Sequence, residues 1–62
     1  MEVKIGVAHS ARELTVESPL SAEEIEAAVS KALSDGGVLA LADDRGRRLL
    51  VPVDKLSYVE IG

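Results

Sequence analysis

The segment Val38-Leu39-Ala40-Leu41-Ala42 has no polar side. A strand with one wet face alternates apolar and polar residues, whereas one that is apolar throughout needs cover on both faces. At 62 residues the chain is short for supplying both covers itself. The segment therefore points to a partner, with a second copy of the chain as one possibility. Nothing in the sequence rises to a catalytic or ligand-binding signature.

The length allows one domain, residues 1–62. A chain of this size buries only about 60% of the surface its unfolded form exposes. Its core must be built without Phe or Trp, and Tyr58 is the single aromatic residue. Cysteine is absent, so disulfides and thiolate metal sites are unavailable as staples. Near-ideal local structure or oligomerisation has to compensate. Seven basic residues face eleven acidic ones, for a net charge of -4. That balance argues against a phosphate-backbone binder and so against nucleic acid as a partner. No apolar run approaches the length of a membrane span and no signal-type segment opens the chain, so a cytoplasmic setting without membrane contact is expected.

Val3, Ile5 and Val7 alternate with Glu2, Lys4 and Gly6, the pattern of a half-wet strand. A turn over Ala8–Ala11 and a second alternating stretch from Arg12 to Glu17 complete a hairpin. After Pro19, Ser21 and Glu24 have the spacing of a capping box, with Leu20 and Ile25 placed as a hydrophobic staple. Ile25, Ala28, Val29, Ala32 and Leu33 form one helical stripe, and Gly36-Gly37 end the helix. Val38–Ala42 and Arg48–Val53 then read as strands joined by Asp43-Asp44-Arg45-Gly46-Arg47, a type I turn with a glycine bulge. That loop sets Leu41 opposite Leu49, Leu39 opposite Val51, Ala40 opposite Leu50 and Val38 opposite Pro52. Asp54-Lys55-Leu56 turns into a last strand, Ser57–Ile61, with Val59 and Ile61 inward. The expectation is an α+β domain of two layers in the order ββαβββ: an antiparallel sheet of about five strands with one helix across one face.

On the helix-free face these alternations leave Val38, Ala40, Leu50, Pro52 and Tyr58, ringed by Lys4, Glu13, Thr15, Glu17 and Glu60. An apolar island with a polar rim is the pattern of an interaction surface.

The opening Met1-Glu2-Val3-Lys4-Ile5-Gly6-Val7, the Arg12-Glu13-Leu14 that follows, the Asp44-Arg45-Gly46-Arg47-Arg48 hairpin and the closing Tyr58-Val59-Glu60-Ile61-Gly62 carry a resemblance. Together they resemble a family of very small actinobacterial cytoplasmic proteins known as a domain of unknown function. The resemblance spans nearly the whole chain, and its motifs are structural punctuation rather than chemistry. It implies a cytoplasmic module of unassigned role. Members of that family run some residues past the Ile-Gly end, and some carry a generic label of nucleotide binding.

Neither a P-loop nor a dinucleotide fingerprint occurs. Gly36-Gly37 follow a helix instead of preceding one, and the helix N-terminus carries Glu23 and Glu24, which repel anions. His9 is the single histidine. Ser10 beside it has no orienting acid, so the pair reads as a solvated turn. One histidine without cysteine cannot hold zinc, and Asp43 and Asp44 with Asp35 or Asp54 lack the spacing of a calcium loop. Turn formation accounts for Asp43 and Asp44. Arg45, Arg47 and Arg48 are the one basic cluster and the place where an anion or acidic partner would bind.

The sequence thus points to a non-enzymatic protein-interaction module that self-associates as a dimer through the helix-free sheet face or a sheet edge. No cofactor or metal is expected. The alternative is a nucleotide or RNA binder using the Arg45, Arg47 and Arg48 hairpin.

Overall fold

The computed structural model describes residues 1–62. Its elements are β1 (Glu2–Val7), β2 (Glu13–Glu17), α1 (Ala22–Asp35), β3 (Val38–Ala42), β4 (Arg48–Pro52) and β5 (Leu56–Ile61). A single 3-10 turn, Val53–Lys55, joins β4 to β5. The class is α+β and the element order is ββαβββ, as the sequence patterns indicate.

The five strands divide between two sheets instead of forming the single one expected. Antiparallel β2-β1-β5 make three strands, and β3-β4 stand apart as a hairpin. Two features separate β5 from β4. Pro52 cannot donate to a ladder, and the 3-10 turn re-aims the chain at once. Strand β4 thus ends at Pro52 and β5 begins at Leu56, one residue earlier than the alternation suggests. Strand β5 then pairs with β1 (Lys4 opposite Glu60, Gly6 opposite Tyr58) and leaves the hairpin two-stranded.

The hairpin register is the one its loop dictates: Val38 opposite Pro52, Ala40 opposite Leu50, Leu41 opposite Leu49. Gly46 closes the loop at φ 82°, the left-handed conformation a glycine bulge needs. The Asp43 N–H donates to the Arg47 carbonyl at 2.8 Å, and the Val53 N–H to the Gly37 carbonyl at 3.0 Å. Odd-numbered residues of the hairpin therefore form its hydrogen-bonded pairs. Pro52 falls at a non-hydrogen-bonded position, so its missing N–H costs the β3–β4 ladder nothing. The β1–β2 turn has no such glycine. His9 adopts φ 62° there, a conformation that histidine tolerates better than most residues.

Helix α1 begins as its sequence indicates. The Ser21 Oγ accepts from the Glu24 N–H at 3.2 Å, and the Glu24 carboxylate accepts from the Ser21 N–H at 3.0 Å. These bonds hold the Glu24 carboxyl below the usual carboxylate range, the Ser21 main-chain donor contributing most. The helix ends at Gly36, in the left-handed region at φ 70°, whose N–H reaches the Ala32 carbonyl at 2.9 Å.

One cluster forms the core. Val3 and Ile5 of β1, Val16 of β2, Ile25 and Ala32 of α1, Leu39 and Leu41 of β3, and Val51 of β4 are all buried and in contact. Ile25 and Ala32 carry the helical stripe inward, but Leu33, expected to share it, is 57% exposed. The stripe that reaches the core is thus narrower than its spacing suggests.

Removing the cap isolates its contribution. Ser21→Ala should lower stability by about 1 kcal/mol and Ser21→Gly by only a few tenths, read as midpoint shifts in chemical denaturation with an unchanged slope.

Candidate functional site

Alternation along β3 and β4 sends Leu39, Leu41 and Val51 into the core and turns the intervening residues outward. Those outward residues include Val38, Ala40, Leu50 and Pro52. The structure brings all four onto one face of the hairpin, in facing pairs. Nothing in the chain covers them: Val38 is 51% exposed and Leu50 63%. Arg48 bounds this face at the loop end, opposite Ala42.

Tyr58, the fifth residue expected on that island, is carried by the other sheet. It stands on the outer face of β2-β1-β5 directly over Gly6, which has no side chain to obstruct the ring. A methyl group placed on Gly6 would overlap the ring. The Tyr58 hydroxyl donates to the Glu13 carboxylate at 2.5 Å. The aromatic ring fills the notch left by a strand glycine, and its hydroxyl reaches across β1 to tie β5 to β2. Glu2, Lys4, Glu13, Thr15, Glu17 and Glu60 share this outer face, with Lys4 Nζ 3.9 Å from Glu60. One outer face of the molecule is thus charged, and the other is apolar.

Of the basic cluster, only Arg47 has an acidic partner. Its Nε lies 2.6 Å from the Asp43 carboxylate, which also accepts from the Arg45 and Arg47 N–H groups at 2.9 and 2.7 Å. Loss of hydration pushes the Asp43 carboxyl upward, but the bonds from Arg47 and Arg45 outweigh it and hold the group below its ordinary value. Asp43 therefore organises the loop, in keeping with its reading as a turn residue. Arg45 and Arg48 make no ion pair and line a cleft of about 580 Å³. The cleft lies between the hairpin and β2, which contributes Leu14, Thr15 and Val16.

No three acidic or histidine side chains gather where they could hold a metal ion. His9 and Ser10 are exposed in the β1–β2 turn, where Ser10 hydrogen-bonds to the backbone of Arg12. The structural job of Tyr58 was hidden in the sequence. A glycine in mid-strand was its one signal, and the cross-strand register is what reveals the partner.

The fold and these surfaces define a small α+β domain of one helix and two sheets, with an uncovered apolar hairpin face. Over residues 1–62 it matches the model of a family described as protein of unknown function (DUF3107), and the chain belongs to that family. No curated protein matches it.

Two measurements check the role of Tyr58. Gly6→Ala should cost about 1–3 kcal/mol through overlap with the ring, and much less in a Tyr58→Ala background, so the double-mutant cycle is strongly non-additive. The bond to Glu13, with desolvation and the charges of Glu13 and Glu60 behind it, raises the Tyr58 pKa above its ordinary 10.0. For a raised acid the stabilisation is complete below the unfolded value and fades as pH rises through the folded one. Tyrosinate absorbance, unambiguous with a single tyrosine, should show a midpoint above that of free tyrosine, and Glu13→Gln should lower it.

Proposed function

We propose that this protein is a non-enzymatic interaction module that self-associates through the outer face of the β3–β4 hairpin. The observation that carries the reading is the uncovered quartet Val38, Ala40, Leu50 and Pro52. Leu50 and Val38 anchor the contact, and Ala40 and Pro52 form the flat surround. An apolar patch left open on so small a domain marks an interaction site.

A second copy is the occupant that the energetics favour. A two-stranded hairpin is marginal in isolation, and this one is covered on its inner face only. Stacking two such faces places Leu50 and Val38 against each other and removes them from water. The facing patches are identical, as a twofold dimer requires. The Val38, Ala40, Leu50 and Pro52 side chains carry no charge, so the pairing has no like-charge penalty at its centre.

Sedimentation across a wide concentration range tests this directly. Association should strengthen with concentration. Leu50→Asp should weaken it by a factor of ten or more, since fully burying a leucine is worth about 1.5–3 kcal/mol. At concentrations too low for the parent to associate, the same change should leave helix content and thermal midpoint nearly intact, because Leu50 lies outside the core. A well-folded monomer at the highest concentrations would remove the reading.

A further inference from the structure

The second outward surface is an edge, and its main chain is informative. The Ser18 N–H donates to the Met1 carbonyl at 2.9 Å, and the Met1 ammonium donates back to the Ser18 carbonyl at 2.9 Å. Ser18, Val16 and Leu14 therefore turn their main-chain groups toward β1. Two-residue periodicity then turns those of Glu13, Thr15 and Glu17 the other way. The Glu17 carbonyl accepts from the Asp44 N–H at 3.0 Å, so the hairpin loop docks at this end of β2. Beyond it, the N–H and C=O groups of Thr15 and Glu13 have no partner in the chain. Thr15 opens directly into the cleft, with Leu14 and Val16 beside it and Arg45 and Arg48 at the docked end.

We propose that the β2 edge is a strand-addition site. An extended peptide segment enters the cleft antiparallel to β2 and pairs with Thr15 and Glu13. It turns off the ladder where the Asp44 N–H already holds the Glu17 carbonyl, so that an acidic group at its first residue meets Arg45 and Arg48 and not Glu17. The geometry specifies its side chains. Residues paired with Thr15 and Glu13 share the charged outer face, so a basic or threonine residue suits them. The residues between point at Leu14, Val16 and Leu49, so they are aliphatic. The antiparallel sense brings the segment's N-terminal end to the docked loop, where Arg45 and Arg48 are unpaired.

A second copy of β2 is a poor occupant. Antiparallel registers that set Glu13 against Glu13 or Glu17 of the copy put like charges directly opposite, and those that set it against Thr15 give Glu13 no cation. Like charges directly opposite disfavour such pairing. No register of a second β2 offers Glu13 a cation, because the outward residues of β2 are Glu13, Thr15 and Glu17. A segment with a basic residue at that position does, which favours a segment from another protein. This site is independent of the hairpin face and does not rest on the self-association reading.

The test uses the full chain labelled for NMR and three probes. They are acetyl-Val-Thr-Val-Lys-Val-amide, the same peptide with Asp added in front, and the Asp form N-methylated at its threonine. The first two should shift the amides of Leu14 to Val16, with the Asp form about threefold tighter, as one exposed ion pair provides. That advantage should vanish in Arg45→Gln/Arg48→Gln. The N-methyl probe, which leaves the protein untouched, should bind about tenfold more weakly, the loss expected for a ladder hydrogen bond. Thr15→Pro should do the same; its ring occupies an N–H that β1 does not use, and the free variant's spectrum reports its folding. Repeating the titration on Leu50→Asp should leave it unchanged, which separates this site from the dimer face. The proposal is overturned if the probes leave Leu14 to Val16 unmoved, or if N-methylation has no effect. It is equally overturned if the free edge of β5 responds as strongly, or if ATP or single-stranded RNA shifts the cleft and the peptides do not.

Discussion

The fold depends on the shared core that Ile5, Ile25 and Leu39 enter from three different elements. Each is fully or almost fully buried, and each belongs to an element that cannot stand alone. Strand β1 needs a layer beneath it, α1 at fourteen residues is near the lower limit of independent helices, and the β3–β4 hairpin has only two strands. Packing joins three marginal pieces into one cooperative unit. Without a large aromatic in the centre, branched aliphatics at close spacing must do the filling. Each contributes modest area, so the core tolerates little loss at any of the three.

The two outer faces follow from that arrangement. With the apolar residues of both sheets drawn inward, the outward or exposed positions of β1, β2 and β5 are charged apart from Gly6, Thr15, Tyr58 and Ser57 at the β5 bulge. Those of β3 and β4 are almost wholly apolar. The asymmetry belongs to the chain and not to the packing: the same alternation rule yields a wet face on one sheet and a dry one on the other. The Tyr58–Gly6 contact shows how the wet sheet is braced. A ring over a glycine and a hydroxyl on Glu13 link all three of its strands through one residue.

Much of this was legible from local chemistry. The capping box at Ser21 and Glu24, the glycine at position 36 and the Asp43-to-Arg47 loop each fix a geometry within a few residues, and the register of β3 on β4 followed from the loop. What local signals could not show was which strands would share a sheet. Alternation assigns faces but not neighbours, and the choice of β5 for β1 depends on a turn at Val53–Lys55 that has no strong sequence mark. The site followed the same division. The face shared by Val38, Ala40, Leu50 and Pro52 was readable because one hairpin carries it. The placement of Tyr58 over Gly6 and the opening of the β2 edge were not, because both depend on long-range pairing.

Pro52 has a consequence for how such a molecule can grow. Its position turns the absent N–H outward, so the free edge of β4 offers an incomplete row of donors to any incoming strand. A chain with an apolar hairpin and an exposed edge would ordinarily be at risk of stacking edge upon edge into fibres. Here the edge is interrupted at the same residue that helps flatten the face. If the hairpin face associates as proposed, this interruption favours closed, countable complexes over open-ended ones.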